Sequence, residues 1–310
     1  MWIDPICIDQ SNLEEKGKQV LMMTDIYYFA SCVLIWLGTA PIVGMATLAI
    51  GLLHEVGNQP PNIDLYAKYE KQRLDLRWQA LIGFLNYPWF TIVRIVQEVA
   101  VASKVLLIHG GLSFDWDFLA SGIETFMDAE MSALPQMTQL GRSTVGNINN
   151  FSSIATIRSR YPIASIYRKS LRTFKFAKAI PEALRTKEDK KGRERSKAVS
   201  ERISKSLSLT FLLTKCGRFD STDPKDKIFA FTGLATDDPN PVFTPNYTKS
   251  VYDVYCDVAF YIFLERTPFS VISCAGIGSG RKLGDLPSWG LTGPAFHNVH
   301  RSPVLGTGMN

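Results

Sequence analysis

Histidine and cysteine are scarce in this 310-residue chain, with four of the first and five of the second. The cysteines, Cys7, Cys32, Cys216, Cys256 and Cys274, are scattered and odd in number. None forms a CxxC pair, and no histidine stands at metal-ligand spacing. That pattern excludes a disulfide framework and a zinc site as the basis of the fold, and it fits thiols in a reducing compartment. No apolar run reaches the ~20 residues that a bilayer span needs. The nearest candidate, Pro41 to Val56, is shorter and closes on His54 and Glu55, so it reads as a buried helix. The opening residues lack the pattern of a secretory signal. No Walker or GxGxxG pattern occurs, and Gly110-Gly111 alone makes no phosphate loop. Surplus charge is confined as well. Arg185 to Lys205 holds nine basic and four acidic residues, which accounts for the whole net charge of +5. The rest of the chain is neutral, which argues against a specific nucleic-acid surface spread over the fold.

What is present is ordinary globular material, 46% hydrophobic and 11% aromatic. It is enough for one large domain or two smaller ones. The first segment reads strand, helix, strand. Trp2 to Ile8 is apolar with β-branched residues. Ser11 and Glu14 suggest a capping box. Val20, Met23, Ile26, Tyr27 and Ala30 recur at helical spacing, and Cys32 to Leu37 is a continuous apolar run ended by Gly38. This is the pattern of a βαβ unit with parallel strands.

Asn58 to Asp64 reads as a linker, and Leu65 to Asn86 as a long helix. A helix is expected from about Thr91, a strand at Lys104 to Ile108, and a helix at Asp115 to Met127. Leu134 to Ser153 is polar and reads as loop, and Arg185 to Glu201 as the least ordered stretch. Ser206 to Lys215, the segment opened by Asp223-Pro224, and the segment capped by Ser250 and Asp253 all read as helices. The stretch from Arg281 to Asn310 reads as irregular. The expected fold class is therefore α/β: a partial parallel sheet with flanking helices, then a mainly helical C-terminal part. The expected boundaries are 1–130 for the α/β region, 131–205 for loop and charged linker, and 206–310 for the helical region.

Several ordered blocks together resemble the heterokaryon-incompatibility (HET) domain of filamentous fungi. The first is Trp2-Ile3-Asp4-Pro5-Ile6-Cys7-Ile8-Asp9-Gln10, followed by Gln19, Tyr27 and Trp36-Leu37-Gly38. The second is Pro88-Trp89-Phe90 with Gln97-Glu98. The last are Asp223-Pro224 with Asp226, Pro245-Asn246-Tyr247 and Leu286-Pro287-Ser288-Trp289. Five positions depart from the family pattern. Ile92 and Arg94 stand where the family shows Arg and Trp, and Gly290-Leu291-Thr292 stands where it shows Pro-Asp-Trp. The family also has an earlier strand block, so relative to it this chain reads as N-terminally truncated.

The resemblance implies a role in fungal non-self recognition ending in growth arrest or cell death. It implies action through protein partners or self-association inside the cell, in the cytoplasm, with no resident cofactor or metal. HET domains have been likened to TIR domains, which are flavodoxin-like and in some members cleave NAD with a helical glutamate. Glu98 matches that glutamate, and under this alternative NAD is a substrate. A carboxylate there would stabilise the oxocarbenium-like ribose. Asp4, Asp9 and Gln10, placed at the carboxyl end of a strand, and His109, at the end of another, are the accompanying ligand-binding candidates. The plainer readings stay open: Glu98 paired with Arg94, Asp9 and Ser11 as turn and cap residues, Cys7 as core, and His109 as a loop residue.

Overall fold

The computed structural model describes residues 1–39, 44–58, 76–128, 146–162, 207–237 and 244–265. The chain divides into two compact units. One is Met1–Met22 with Ile163–Asn310, and the other is Met23–Pro162.

The second unit holds the sheet. Strands β1 (Val33–Trp36) and β2 (Val105–His109) are parallel, with Val33 opposite Val105 and Trp36 opposite Ile108. Strand β3 (Leu112–Asp115) adds antiparallel to β2, giving the order β1-β2-β3. The parallel pairing expected between Trp2–Ile8 and Cys32–Leu37 is not formed; β1 pairs instead with the strand expected at Lys104 to Ile108, and a tight return after His109 makes the sheet mixed. In β1, Val33 and Ile35 are buried while Leu34 and Trp36 face outward. Helices α3 (Met45–Gly57), α4 (Leu76–Leu85), α5 (Ile95–Val101) and α6 (Trp116–Asp128) belong to this unit, with a 3-10 turn at Pro88–Thr91. Helix α3 accounts for residues 45–56 of the expected buried helix, and its Ala46, Ala49, Leu52, Leu53 and Val56 are buried.

Residues 146–162 are helical (α7), which corrects the loop reading of Gly146 to Ser153. Its polar residues masked a regular stripe: Ile148, Phe151, Ile154, Ile157 and Tyr161 are all buried. Trp116 stacks on Phe151 at 4.3 Å. The buried Asn147 and Asn150 donate to the carbonyls of Leu85 and Phe90 at 3.0 and 3.2 Å. Those bonds satisfy backbone acceptors that would otherwise be stranded in the core. The linker, residues 65–75 of the long expected helix, residues 134–145 of the expected loop and the charged run lie outside the described residues.

The first unit corrects the reading of its opening segment. Asp4–Cys7 is a helical turn (α1), not a strand. The amides of Ile6 and Cys7 donate to the Ile3 carbonyl at 2.9 Å. Pro5 explains the outcome. It has no N–H for a sheet ladder, and its fixed φ suits the first turn of a helix.

Helix α2 (Leu13–Phe29) follows. Its cap lies one residue later than expected. Asn12 Oδ1 accepts from the Glu15 amide at 3.1 Å, while Ser11 is held by Asp9. The remaining helices of this unit are α8 (Leu209–Cys216), α9 (Asp226–Thr232) and α10 (Val251–Glu265). The expected Ser250 cap is present, with its Oγ accepting from the Asp253 amide at 3.1 Å.

Candidate functional site

In the unit that carries the sheet, the parallel strands end at Gly38 and at His109-Gly110. Both glycines have positive φ, 92° and 59°. The Gly110 amide donates to the Gly38 carbonyl at 3.0 Å, so the strand ends are stitched in a conformation that side chains resist. His109 is 3% exposed. Its Nε2 is hydrogen-bonded to the Tyr87 hydroxyl, and the Phe84 and Tyr87 rings stand edge-on to the imidazole. Its Nδ1 is buried and has no hydrogen-bond partner among the described residues. Burial lowers the His109 pKa, so the ring is neutral at ordinary pH.

The Gln97-Glu98 block lies on α5. Gln97 is 1% exposed and donates its amide to the Thr24 hydroxyl on α2. Glu98 is half-buried. Arg158 on α7 anchors the end of this helix. Its Nη1 donates to the carbonyls of Val99 and Ala102 at 2.7 and 2.6 Å, and its Nε pairs with Asp117 at 3.1 Å. The last carbonyls of a helix lack internal donors, and a guanidinium group suits them. Within Pro88-Trp89-Phe90 the apolar residues are packing. Phe90 lies 5.6 Å from Phe84 and 5.9 Å from Phe151, and Trp89 lies 6.2 Å from Trp116. Leu37 is buried while Trp36 is exposed.

In the other unit, Trp2 Nε1 donates to Asp4 Oδ1 at 2.9 Å. Asp9 Oδ1 accepts from the Ser11 hydroxyl at 2.6 Å and from its amide at 2.9 Å. Both bonds stabilise the carboxylate and hold its pKa below the usual value. Gln10 is exposed, and Cys7 and Gln19 are half-buried. Asp4, Asp9 and Gln10 thus belong to one unit, and Glu98 and His109 to the other. Asp4, Asp9 and Gln10 do not lie at a strand end, because the segment carrying Asp4 is the α1 turn and the segment after it is a cap.

A cluster that sequence reasoning missed joins three motif blocks here. Lys16 on α2 is buried, with Nζ 3.4 Å from Asp223 Oδ2 and 4.0 Å above the centre of the Tyr247 ring. The Tyr247 hydroxyl donates to Asp226 Oδ1 at 2.5 Å. Lys225 Nζ donates to the Tyr247 carbonyl at 2.7 Å, and the Tyr255 hydroxyl donates to the Pro224 carbonyl at 2.8 Å. Burial first, then the charges of Asp223 and Asp226, pushes the Tyr255 pKa far up and keeps it a donor. Gly17 lies so close that a Cβ there would sit 2.7 Å from the Pro245 carbonyl oxygen. One signal for Lys16 was present in the sequence: it stands four residues before Val20, on the buried face of α2. Pro287, Ser288 and Trp289 lie outside the described residues. Among the described residues, no group of three His, Cys, Asp or Glu is placed to hold a metal ion. No helix among them is long and apolar enough to cross a membrane.

Residues 1–98 match the model of the family described as heterokaryon incompatibility protein (HET). That match covers about a third of the chain. Over 59 residues the chain is 46% identical to heterokaryon incompatibility protein 6, OR allele, of Neurospora crassa. That stretch is 19% of this chain and spans 8% of the relative's length. No solved structure matches the chain. The HET match ends at Glu98, before strand β2, which pairs with β1. It also ends before Asp223 and Tyr247, which contact Lys16.

Proposed function

We propose that this chain is a signalling module of fungal heterokaryon incompatibility. In this reading it takes part in cytoplasmic non-self recognition that ends in growth arrest or cell death, and it acts by association with a protein partner or with itself. The HET match and the likeness to a heterokaryon incompatibility protein support the role. One observation favours association as its means. The motif's polar groups are spent on one another: Lys16 on Asp223, Tyr247 on Asp226, Gln97 on Thr24 and His109 on Tyr87. Beside polar residues such as Gln10, the motif segments also turn large apolar side chains outward, such as Ile6 and Trp36. Expression in a fungal host is expected to slow growth, and Glu98→Gln is expected to leave that effect largely intact. Loss of the effect in the variant, or no effect from the wild type, counts against this reading.

A second reading, NAD cleavage by Glu98, draws support from the helix that carries it. Arg158 and Gln97 hold α5 in place, and the strand that follows ends in His109. A fixed carboxylate of this kind stabilises a developing positive charge on a ribose ring. The purified protein would then consume NAD, and Glu98→Gln would stop consumption without changing the melting temperature. Turnover no greater than a protein-free blank removes this second reading.

A further inference from the structure

Helix α10 is apolar on two faces. Val254, Tyr255, Val258, Ala259 and Ile262 are buried on the inner one. On the outer one Tyr252, Phe260, Phe263 and Leu264 are 47%, 61%, 52% and 64% exposed, with Cys256 half-buried between Tyr252 and Phe260. Tyr252, Cys256, Phe260 and Leu264 follow the i, i+4 row of a helix surface, with Phe263 beside it at i+3 from Phe260, so they form one continuous ridge. A helix that borders solvent normally turns polar residues outward, and a row of large apolar side chains on a surface marks a binding face. Two acids edge the ridge, Asp253 and Asp257. Lys249 pairs with Asp257 at 2.7 Å, and Asp253 is bonded to Ser250.

We propose that the outer face of α10 docks an amphipathic helix of a protein partner, one whose apolar stripe is flanked by Lys and Arg. This rests on the association reading given above and assigns it a surface. A row of i, i+4 side chains is complementary to the groove of another helix. The fifteen residues of α10 span about 22 Å, enough for roughly four turns of a partner. The acidic border selects the sign of the partner's flanking charge. A second copy of α10 would set Asp253 and Asp257 near the same acids, and an anionic membrane surface would repel them.

The test uses the full chain and a fluorescein-labelled Leu/Lys amphipathic peptide of about eighteen residues, read by anisotropy. A Leu/Glu peptide with the same apolar stripe and a scrambled Leu/Lys peptide serve as comparisons. The Leu/Lys peptide is expected to bind at least about tenfold more tightly than either. Phe260→Ser with Phe263→Ser is expected to weaken it about tenfold or more. Asp253→Asn with Asp257→Asn should cost several-fold, more at low salt than at high salt. These side chains point outward, so circular dichroism should show an intact fold, and Leu264→Ser alone gives a milder second variant. Equal binding by wild type and variants overturns the proposal, as does equal binding of the Leu/Glu peptide. A wild-type dimer by light scattering that the Phe variants break assigns the face to a second copy and also overturns it. So does co-sedimentation with phosphatidylserine vesicles that those variants abolish. If peptide binding behaves as expected but host growth is unaffected, the incompatibility reading fails while the docking surface stands.

Discussion

Lys16→Met is the sharpest perturbation of the cluster that joins the HET signature helix to the distant Asp223 block. Methionine keeps most of the apolar stem buried, so the transfer free energy of the side chain nearly cancels. What is lost is the ammonium. Its contact with Asp223 is 3.4 Å long, and the carboxylate is a quarter exposed, which places the pair between a surface bridge and a buried one. About 1 kcal/mol is appropriate, well below the 3–5 kcal/mol of a fully buried broken pair. The ammonium also sits 4.0 Å over the Tyr247 ring in a desolvated place, worth about 1 kcal/mol more. Asp223 keeps its other bond, from the Lys225 amide at 3.0 Å, so it is not stranded.

The expected loss is therefore about 2 kcal/mol, which raises local opening by roughly thirtyfold. Hydrogen exchange is the suitable assay, because two units need not unfold in one step. Amides of α2 before Met22 and of α9 should speed up by that factor, while β2 should not. A double-mutant cycle with Asp223→Asn should give a coupling of about 1 kcal/mol. A change below about 0.5 kcal/mol, or full additivity, would refute the claim that this contact holds the two segments together.

Arg158→Ala strands two carbonyls at the end of α5 and should cost about 3 kcal/mol, or roughly 6–12 °C in melting temperature. Arg158→Lys should recover part of that loss, since one nitrogen serves both carbonyls, but not the pair with Asp117. His109 is neutral when folded because burial lowers its pKa. The unfolded chain therefore takes up the proton first as the pH falls. Stability is complete above about pH 6.5 and declines below it. His109→Leu should flatten that decline in urea titrations at pH 5 and pH 7.5.

Strands β1 and β2 were legible as short apolar runs within Cys32 to Leu37 and Lys104 to Ile108, but not their pairing with each other, and Leu34 and Trp36 of the first run turn outward. Trp2 to Ile8 carries the same composition, but Pro5 decides for a helical turn, and composition outweighs one residue only if its missing donor is ignored. The helix over 146–162 hid behind Asn147, Asn149, Asn150, Ser152 and Ser153. The asparagines at 147 and 150 are there to serve carbonyls of the 85–90 segment, a task invisible without that segment. The partners of the expected site residues were not foreseeable. Lys16 and Asp223 are 207 positions apart, and spacing of that size carries no information about distance.

That 207-residue contact bears on how allelic variants of such a chain recombine. A crossover anywhere between Met22 and Asp223 delivers Lys16 and Gly17 from one parent and Asp223, Pro245 and Tyr247 from the other. The joint then depends on two lineages having kept the same charge and the same close fit. Recombinants that exchange both ends together retain a matched pair, whereas exchanges at the edge of the HET match at Glu98 do not. Preservation of this joint should thus travel in linked, non-adjacent segments.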